Sequence, residues 1–515
     1  MSLYSTQGAR RSLFNTVIYR ALSQISTVLS YVVLVRSTVE ETFGVINLLY
    51  AIIPLISTIG SLGLDPVLRR FQPEFLQGGN LTKAAWLLRR VSSYRFLTNL
   101  AMIALILLLW PWVAPFFDLG PYRSQFAVFG VLILLHFQVL LLQYSMSSYM
   151  LHHFAVGSVA VLSVGKLVGY SLVAWFATLD LNAAIVVDLI AYSAAYLLLL
   201  RGFLLTQREA RQAPPMPLHD AQDARRMRRY AAYSYLNEAG SVLQYNETDR
   251  FFIAALMNSI AVASYAFYTR LMDMATSLIP QRLFDNLVQP LFFAIPPAEA
   301  AEKLPRYFSF LINFSLLYQL PLLTFAAVYH HDLVLVVFAG KYIEYSYLLP
   351  LTIFFATADW VFSSPIHLIA QYRERTGLIF RSQMLGVYLI LAMLTLVPVL
   401  GLLGAVIASG TYHIVRNAFM WFKMRNDAIW KNWRASLVAS ALLWGTTAAL
   451  CLALTHFTQW SPLVNLVVGA LVCGTVALLF MRTSVISEAD RRILANVFHG
   501  RETRALHLLG LAPRS

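Results

Sequence analysis

Residues 96–117 read FLTNLAMIALILLLWPWVAPFF, and residues 183–205 read AAIVVDLIAYSAAYLLLLRGFLL. Each is a mostly apolar run of roughly 20 residues, the length an α-helix needs to cross the hydrocarbon core of a bilayer. Only a helix satisfies its own backbone hydrogen bonds within one such segment. A transmembrane barrel would show alternating segments of about ten residues instead. The rest of the 515-residue chain extends this reading. It is 58% hydrophobic and only 12% charged, with a mean hydropathy of +0.63, a composition of the membrane class.

Fourteen spans follow: 13–35, 43–64, 96–117, 126–148, 155–179, 183–205, 231–256, 261–283, 307–328, 346–370, 378–397, 401–422, 435–456 and 463–481. The seventh is the least hydrophobic. The net charge of +14 would suggest nucleic acid in a soluble protein. Here it is a topology signal, because cytoplasmic loops concentrate Lys and Arg. With the N-terminus inside, the inner segments hold 28 of the 39 Lys and Arg residues and the outer loops hold 3, Arg36, Arg123 and Lys341. A wrong span count would scramble that asymmetry. Both termini are therefore expected in the cytoplasm, with the first span a retained signal-anchor and no nucleic-acid partner. Cys451 and Cys473 lie inside apolar spans and form no disulfide framework or metal spacing.

The chain matches itself at an offset near 217. Tyr94–Leu100 (YRFLTNL) aligns with Phe308–Phe314 (FSFLINF), Phe71-Gln72-Pro73-Glu74-Phe75 with Val288-Gln289-Pro290-Leu291-Phe292, and Asp180–Ala184 with Gly401–Ala405. The repeat contains six spans. An even number keeps both copies in one orientation, so the fold expected is an all-α polytopic membrane protein of about 14 helices. Its two six-helix lobes would be related by a pseudo-two-fold axis along the membrane normal. The organisation read from this is a first lobe at 1–205, a polar, basic linker at 206–230, a second lobe at 231–422 and an extra helix pair at 423–481. An amphipathic tail at 482–515 would lie on the inner surface.

Several stretches resemble a known family. Phe43-Gly44-Val45-Ile46-Asn47, Ser61-Leu62-Gly63-Leu64 and Leu68-Arg69-Arg70-Phe71-Gln72-Pro73-Glu74 resemble the opening of polysaccharide-type (Wzx-like) flippases of the MATE/MOP exporter superfamily. Thr248-Asp249-Arg250-Phe251-Phe252-Ile253 with Ala263-Ser264-Tyr265 resembles the start of their second lobe. Phe338-Ala339-Gly340-Lys341-Tyr342 is similar to their outer turn before the tenth span, and Ser487–Arg491 to their C-terminal helix. The resemblance implies a non-enzymatic transporter of the bacterial inner membrane for a lipid-diphosphate-linked oligosaccharide, usually on undecaprenol. It implies no cofactor beyond a proton or sodium gradient or the membrane potential. Membrane lipids, a polysaccharide polymerase or a glycosyltransferase are the partners it suggests.

A diphosphate crossing the low-dielectric core needs cations, and charges inside spans are costly enough to be read as functional. Lys166 and Arg270 fall near the midplane of the fifth and eighth spans, and Arg250 in the outer half of the seventh. These three, with Arg20 in the first span, are the candidate diphosphate ligands. The bland alternative is neutralisation on one helix, Glu247 by Arg250 and Asp273 by Arg270, at i,i+3 spacing. Arg201, Arg282, Arg381 and Arg416 lie near inner span ends, where snorkelling is expected. Glu238, Val242, Tyr245 and Asp249 share one face if the seventh span is a continuous helix. Asp249, Glu247, Glu238, Asp273 and Asp188 are the cavity or ion-coupling candidates. A sugar polymerase or ligase would carry a large outer loop, but the longest here, about 329–345, is short. A multidrug or cation antiporter on the same scaffold would want an acid-dominated cavity. A peptidoglycan-precursor flippase is a near relative of the reading.

Overall fold

A computed structural model describes residues 6–213, 221–242, 246–277, 299–373, 375–425 and 433–481, with Glu488 and Arg491. The described residues are helical between short turns, with no strand among them. The chain divides into two compact units, Met1–Ala263 and Ser264–Ser515.

The first unit contains α1 (Thr6–Ser37), α2 (Glu40–Ser61), α3 (Leu64–Gln77), α4 (Leu81–Val113), α5 (Arg123–Ser148), α6 (His152–Phe176), α7 (Leu181–Gln212), α8 (Ala221–Ser241) and α9 (Asn246–Leu256). Two of its long helices, α4 and α7, start where the sequence supplies a side-chain acceptor for an orphan N–H group. Asn80 caps α4 by accepting from the Lys83 amide at 2.9 Å, and Asp180 caps α7 by accepting from the Ala183 amide at 2.8 Å. Between α2 and α3 the chain turns through two left-handed residues, Leu62 and Gly63. A Cβ on Gly63 would lie 2.0 Å from the Ala231 carbonyl oxygen, so glycine is required there by both backbone and space.

α10 (Ser259–Ser277) leads into the second unit, which holds α11 (Ala300–Phe338), α12 (Leu348–Tyr372), α13 (Thr376–Gln383), α14 (Gly386–Leu400) and α15 (Leu402–Lys423). Two further helices, α16 (Trp433–Thr458) and α17 (Pro462–Met481), pack against α11. The repeat read from the sequence appears as equivalent packing. α4 against α5, α5 against α7 and α6 against α7 correspond to α11 against α12, α12 against α15 and α14 against α15. Asp180 and Gly401, paired by the repeat, are the N-cap residues of the corresponding helices α7 and α15. The match at 288–292 lies outside the described residues.

Among the described residues, ten helices are long and apolar enough to span a membrane, against fourteen expected. The other four expected spans correspond to α1, α8 with α9, α10 and α15. All four are helical, but polar residues lower their apolar content: Arg20 and the buried Ser23, Ser26 and Ser30 in α1, Glu238 in α8, Arg270 and Asp273 in α10, and His413, Arg416 and Asn417 in α15. The seventh expected span is described as two helices, with 243–245 outside the described residues. The shared face proposed through Tyr245 therefore falls there. Of the polar stretch 206–230, residues 206–212 complete α7 and 221–230 begin α8. Arg282 and nearly all of the expected amphipathic tail also lie outside the described residues.

Candidate functional site

Helices α6 and α7 approach closely because α6 carries Gly165 and Gly169 one turn apart. A Cβ on Gly169 would meet Val187 Cγ1 at 2.6 Å, and one on Gly165 would meet the Ala191 Cβ at 3.3 Å. Small residues at this spacing let two membrane helices pack backbone to backbone. Lys166 follows Gly165 and Asp188 follows Val187, so the same contact brings their side chains together. Lys166 Nζ lies 3.0 Å from Asp188 Oδ1.

A polar cluster forms around that pair. The Tyr170 hydroxyl donates to Asp188 Oδ1 at 2.6 Å, and the Tyr50 hydroxyl of α2 donates to Asp188 Oδ2. Lys166 Nζ donates to the Tyr50 oxygen at 3.2 Å and lies 5.0 Å from the Tyr192 ring centroid, within cation–π range. His136 Nδ1 of α5 is 2.8 Å from the Tyr192 hydroxyl. Four helices thus enclose one acid and one ammonium. Asp188 is buried, with 3% of its side chain exposed, whereas Lys166 keeps 20% exposed. The carboxylate is thus the more buried member of the pair, and the lysine side chain the more exposed.

Arg250 on α9 is buried and donates to the Asn47 carbonyl of α2 at 3.4 Å, while its Nε has no hydrogen-bond partner among the described residues. Among the described residues no ion pair joins it to Glu247, and Asp249 beside it is buried. Arg20 on α1 and Arg270 on α10 are exposed, and Asp273 is half-buried. Lys166, Arg250 and Arg20 belong to the first unit and Arg270 to the second. Of the candidate ligand and coupling residues, Lys166 and Asp188 meet as an ion pair across two helices. Glu238 instead accepts from the Ser61 hydroxyl at 2.8 Å.

That contact explains the opening motif. A Cβ on Gly44 would strike the Ser259 carbonyl oxygen at 2.0 Å, Asn47 holds Arg250, Ser61 holds Glu238 and Gly63 admits Ala231. Gln72 donates to Ser145 Oγ at 2.8 Å, and Glu74 pairs with Arg226 at 3.2 Å. The motif residues of α2 and α3 are the seats of α8, α9 and the start of α10. At the end of the unit predicted to face the cytoplasm, Lys83 pairs with Asp223, and its hydrogen bond holds the Asp223 carboxyl below the usual range. Asp65 shows the opposite balance. Burial raises it against the lowering pull of Arg95 and Arg69, although it receives a two-point ion pair from Arg95 at 3.0 Å.

The second unit has its own buried cluster. Arg416 Nη2 lies 2.9 Å from Asp359 Oδ1 and donates to Ser363 Oγ at 3.1 Å. Asn417 Nδ2 donates to Asp359 Oδ1 at 2.9 Å, and His413 Nδ1 is 3.6 Å from Asp359 Oδ2. Snorkelling was the expectation for Arg416. The residue is instead buried, because α12 supplies a carboxylate and a hydroxyl one turn apart. Arg201 and Arg381 are exposed, as snorkelling requires. Arg201 and Arg208 flank a shallow cavity of about 360 Å³ on α7, lined otherwise by Leu197, Leu200, Leu204 and Leu205. Sequence reading missed Tyr50, His136, Tyr170 and Tyr192. The i,i+4 pairs Lys166–Tyr170 and Asp188–Tyr192 were the available signal.

A family described as polysaccharide biosynthesis protein matches residues 33–347, well over half of the chain. The chain belongs to that family. No curated protein sequence matches it significantly. Among solved structures, this family member resembles the lipid II flippase MurJ in an inward closed conformation. The TM-score is 0.64 at 11% identity, over 90% of this chain and 99% of that one. It also resembles an inward-facing multidrug resistance MATE transporter of the MOP superfamily. There the TM-score is 0.58 at 14% identity, over 81% of this chain and 99% of that one. The fold is the one shared with these two structures, and the family member is a multi-pass membrane protein.

Proposed function

We propose that this chain is a flippase that moves a lipid-diphosphate-linked oligosaccharide by alternating access. The movement runs from the cytoplasmic to the periplasmic leaflet of a bacterial inner membrane, and the lipid is of the undecaprenyl type. The observation that carries the reading is the polysaccharide biosynthesis family match in a chain with an exporter fold. The Lys and Arg asymmetry supports cytoplasmic termini. The partly exposed Lys166, with Arg250, Arg270 and Arg20 inside or beside the helices, suits an anionic head group crossing a medium of low dielectric.

The test is transbilayer movement of a lipid-diphosphate oligosaccharide in proteoliposomes. Wild type is compared with the double variant Arg250→Ala, Arg270→Ala, and folding is checked on both. Movement by wild type that falls at least tenfold in the variant supports substrate class and contacts together. Movement that survives keeps the function and removes those two arginines from it. Efflux of a cationic dye by a wild type that does not move the lipid would replace this reading with drug export.

A further inference from the structure

We infer that Lys166 and Asp188 form an exchange pair, in which a diphosphate displaces the carboxylate from the ammonium and Asp188 takes up a proton as it does so. The inference rests on the flippase reading for its ligand class. In the structure the ammonium is shared between Asp188 and Tyr50. An arriving diphosphate offers that ammonium a stronger, multiply charged acceptor, and it approaches from the side on which Lys166 is exposed. Once Lys166 turns to it, Asp188 would be left almost fully buried with only hydroxyl donors, Tyr170 and Tyr50. A buried carboxylate without its cation is disfavoured as the charged form.

The groups facing the pair leave Asp188 as the proton's destination. α2 presents Tyr50, α5 presents His136, α6 presents Tyr170 and α7 presents Tyr192. The described buried polar residues of α1, which packs on α6, are Ser23, Ser26 and Ser30, with Tyr31 against Phe43. None of these tyrosines or serines becomes a base near neutral pH. Among these described groups, His136 is the one other able to bind a proton, and it is hydrogen-bonded to Tyr192. The proton settles on an Asp188 carboxyl oxygen, and the charge of Asp188 plus proton falls to zero as the ammonium engages phosphate. Proton and anion then favour each other's binding by the same factor.

The experiment uses the purified full-length chain in detergent, with farnesyl diphosphate as the probe. Titration calorimetry in two buffers of different ionisation enthalpy gives the protons taken up per bound probe. Wild type should take up about one proton more than Asp188→Asn, the subtraction removing the probe's own titration. Asp188→Asn should bind at least as tightly as wild type, and Lys166→Gln should bind tenfold to a hundredfold more weakly, as loss of a charge-assisted hydrogen bond predicts. Should either variant not fold, infrared difference spectra of wild type alone decide. A protonated-carboxyl band must appear on probe addition. A band already present without probe, or none with probe bound, overturns the inference and leaves the flippase reading standing. Equal proton uptake by wild type and Asp188→Asn does the same. A folded wild type that binds no probe removes the diphosphate reading and this inference with it.

Discussion

Each unit buries an acid–cation pair in its copy of the six-span repeat, and the two pairs are inverted. In the first, α7 carries the acid, Asp188, and the cation comes from α6. In the second, the corresponding helix α15 carries the cation, Arg416, and the acid comes from α12. Exposure is inverted as well: Lys166 is the more accessible member at 20% against 3%, and Asp359 is the more accessible at 16% against 8%. The more exposed side chain is thus the cation's in one unit and the acid's, flanked by His413, in the other. The cations also differ in kind. Lys166 is a point charge that can swing between acceptors, whereas Arg416 is a planar fork fixed by Asp359 and Ser363. The first arrangement suits exchange and the second suits fixation.

The sharpest way to break this comparison is to remove the cations in turn. Arg416→Met should cost about 3–5 kcal/mol, the usual loss when one member of a buried pair is left without its partner. Adding Asp359→Asn should recover most of it. Lys166→Met should cost less, because Asp188 retains two tyrosine donors and can be protonated, yet it should lower lipid movement at least tenfold. Denaturant unfolding in detergent beside a flipping assay reads both. Equal stability losses with equal flipping losses would erase the distinction.

A second prediction concerns how the first pair is assembled. Gly169→Val should press on Val187, cost about 1–3 kcal/mol by overpacking and disturb the Lys166–Asp188 contact. Gly377→Ala, where a Cβ would meet nothing within 4 Å, should be silent in both assays. A silent Gly169→Val would show that the close approach of α6 and α7 does not set the pair.

The last effect concerns the largely buried Lys83–Asp223 pair. The hydrogen bond from Lys83 holds Asp223 below the usual carboxylate range, so its contribution is complete above the ordinary value near ~3.9. It is lost as pH falls through the lowered folded-state value. Asp223→Asn should lower stability at neutral pH, because it takes the carboxylate from the buried Lys83, and flatten the acid side of the stability profile. An acid limb unchanged by the substitution would contradict the assignment.

Much of the fold was legible because lipid imposes simple demands. Ten apolar helices read directly from run length, and the repeat from Tyr94–Leu100 and Asp180 led to equivalent helices and to equivalent N-caps. The four polar spans did not read as cleanly, since α1, α8 with α9, α10 and α15 carry charged and hydroxyl side chains that dilute their apolar runs. The same limit governed the site. Lys166 and Asp188 were visible as buried charges, but their pairing depends on two glycines packing α6 on α7. Arg416 read as interfacial from its distance to a span end, because sequence distance does not reveal that Asp359 lies opposite. The Phe43–Asn47 and Ser61–Leu64 motifs pointed to the family, and the structure gives their physical role as seats for α8 to α10.

The most direct test of the central claim is a flipping assay on wild type and Lys166→Gln with two lipids that carry the same oligosaccharide. One is linked through a diphosphate and the other through a neutral linker. Wild type should move the diphosphate lipid at least tenfold faster than the neutral one, and Lys166→Gln should abolish that preference. Equal movement of both lipids by wild type, or a preference undiminished in Lys166→Gln, would contradict the account.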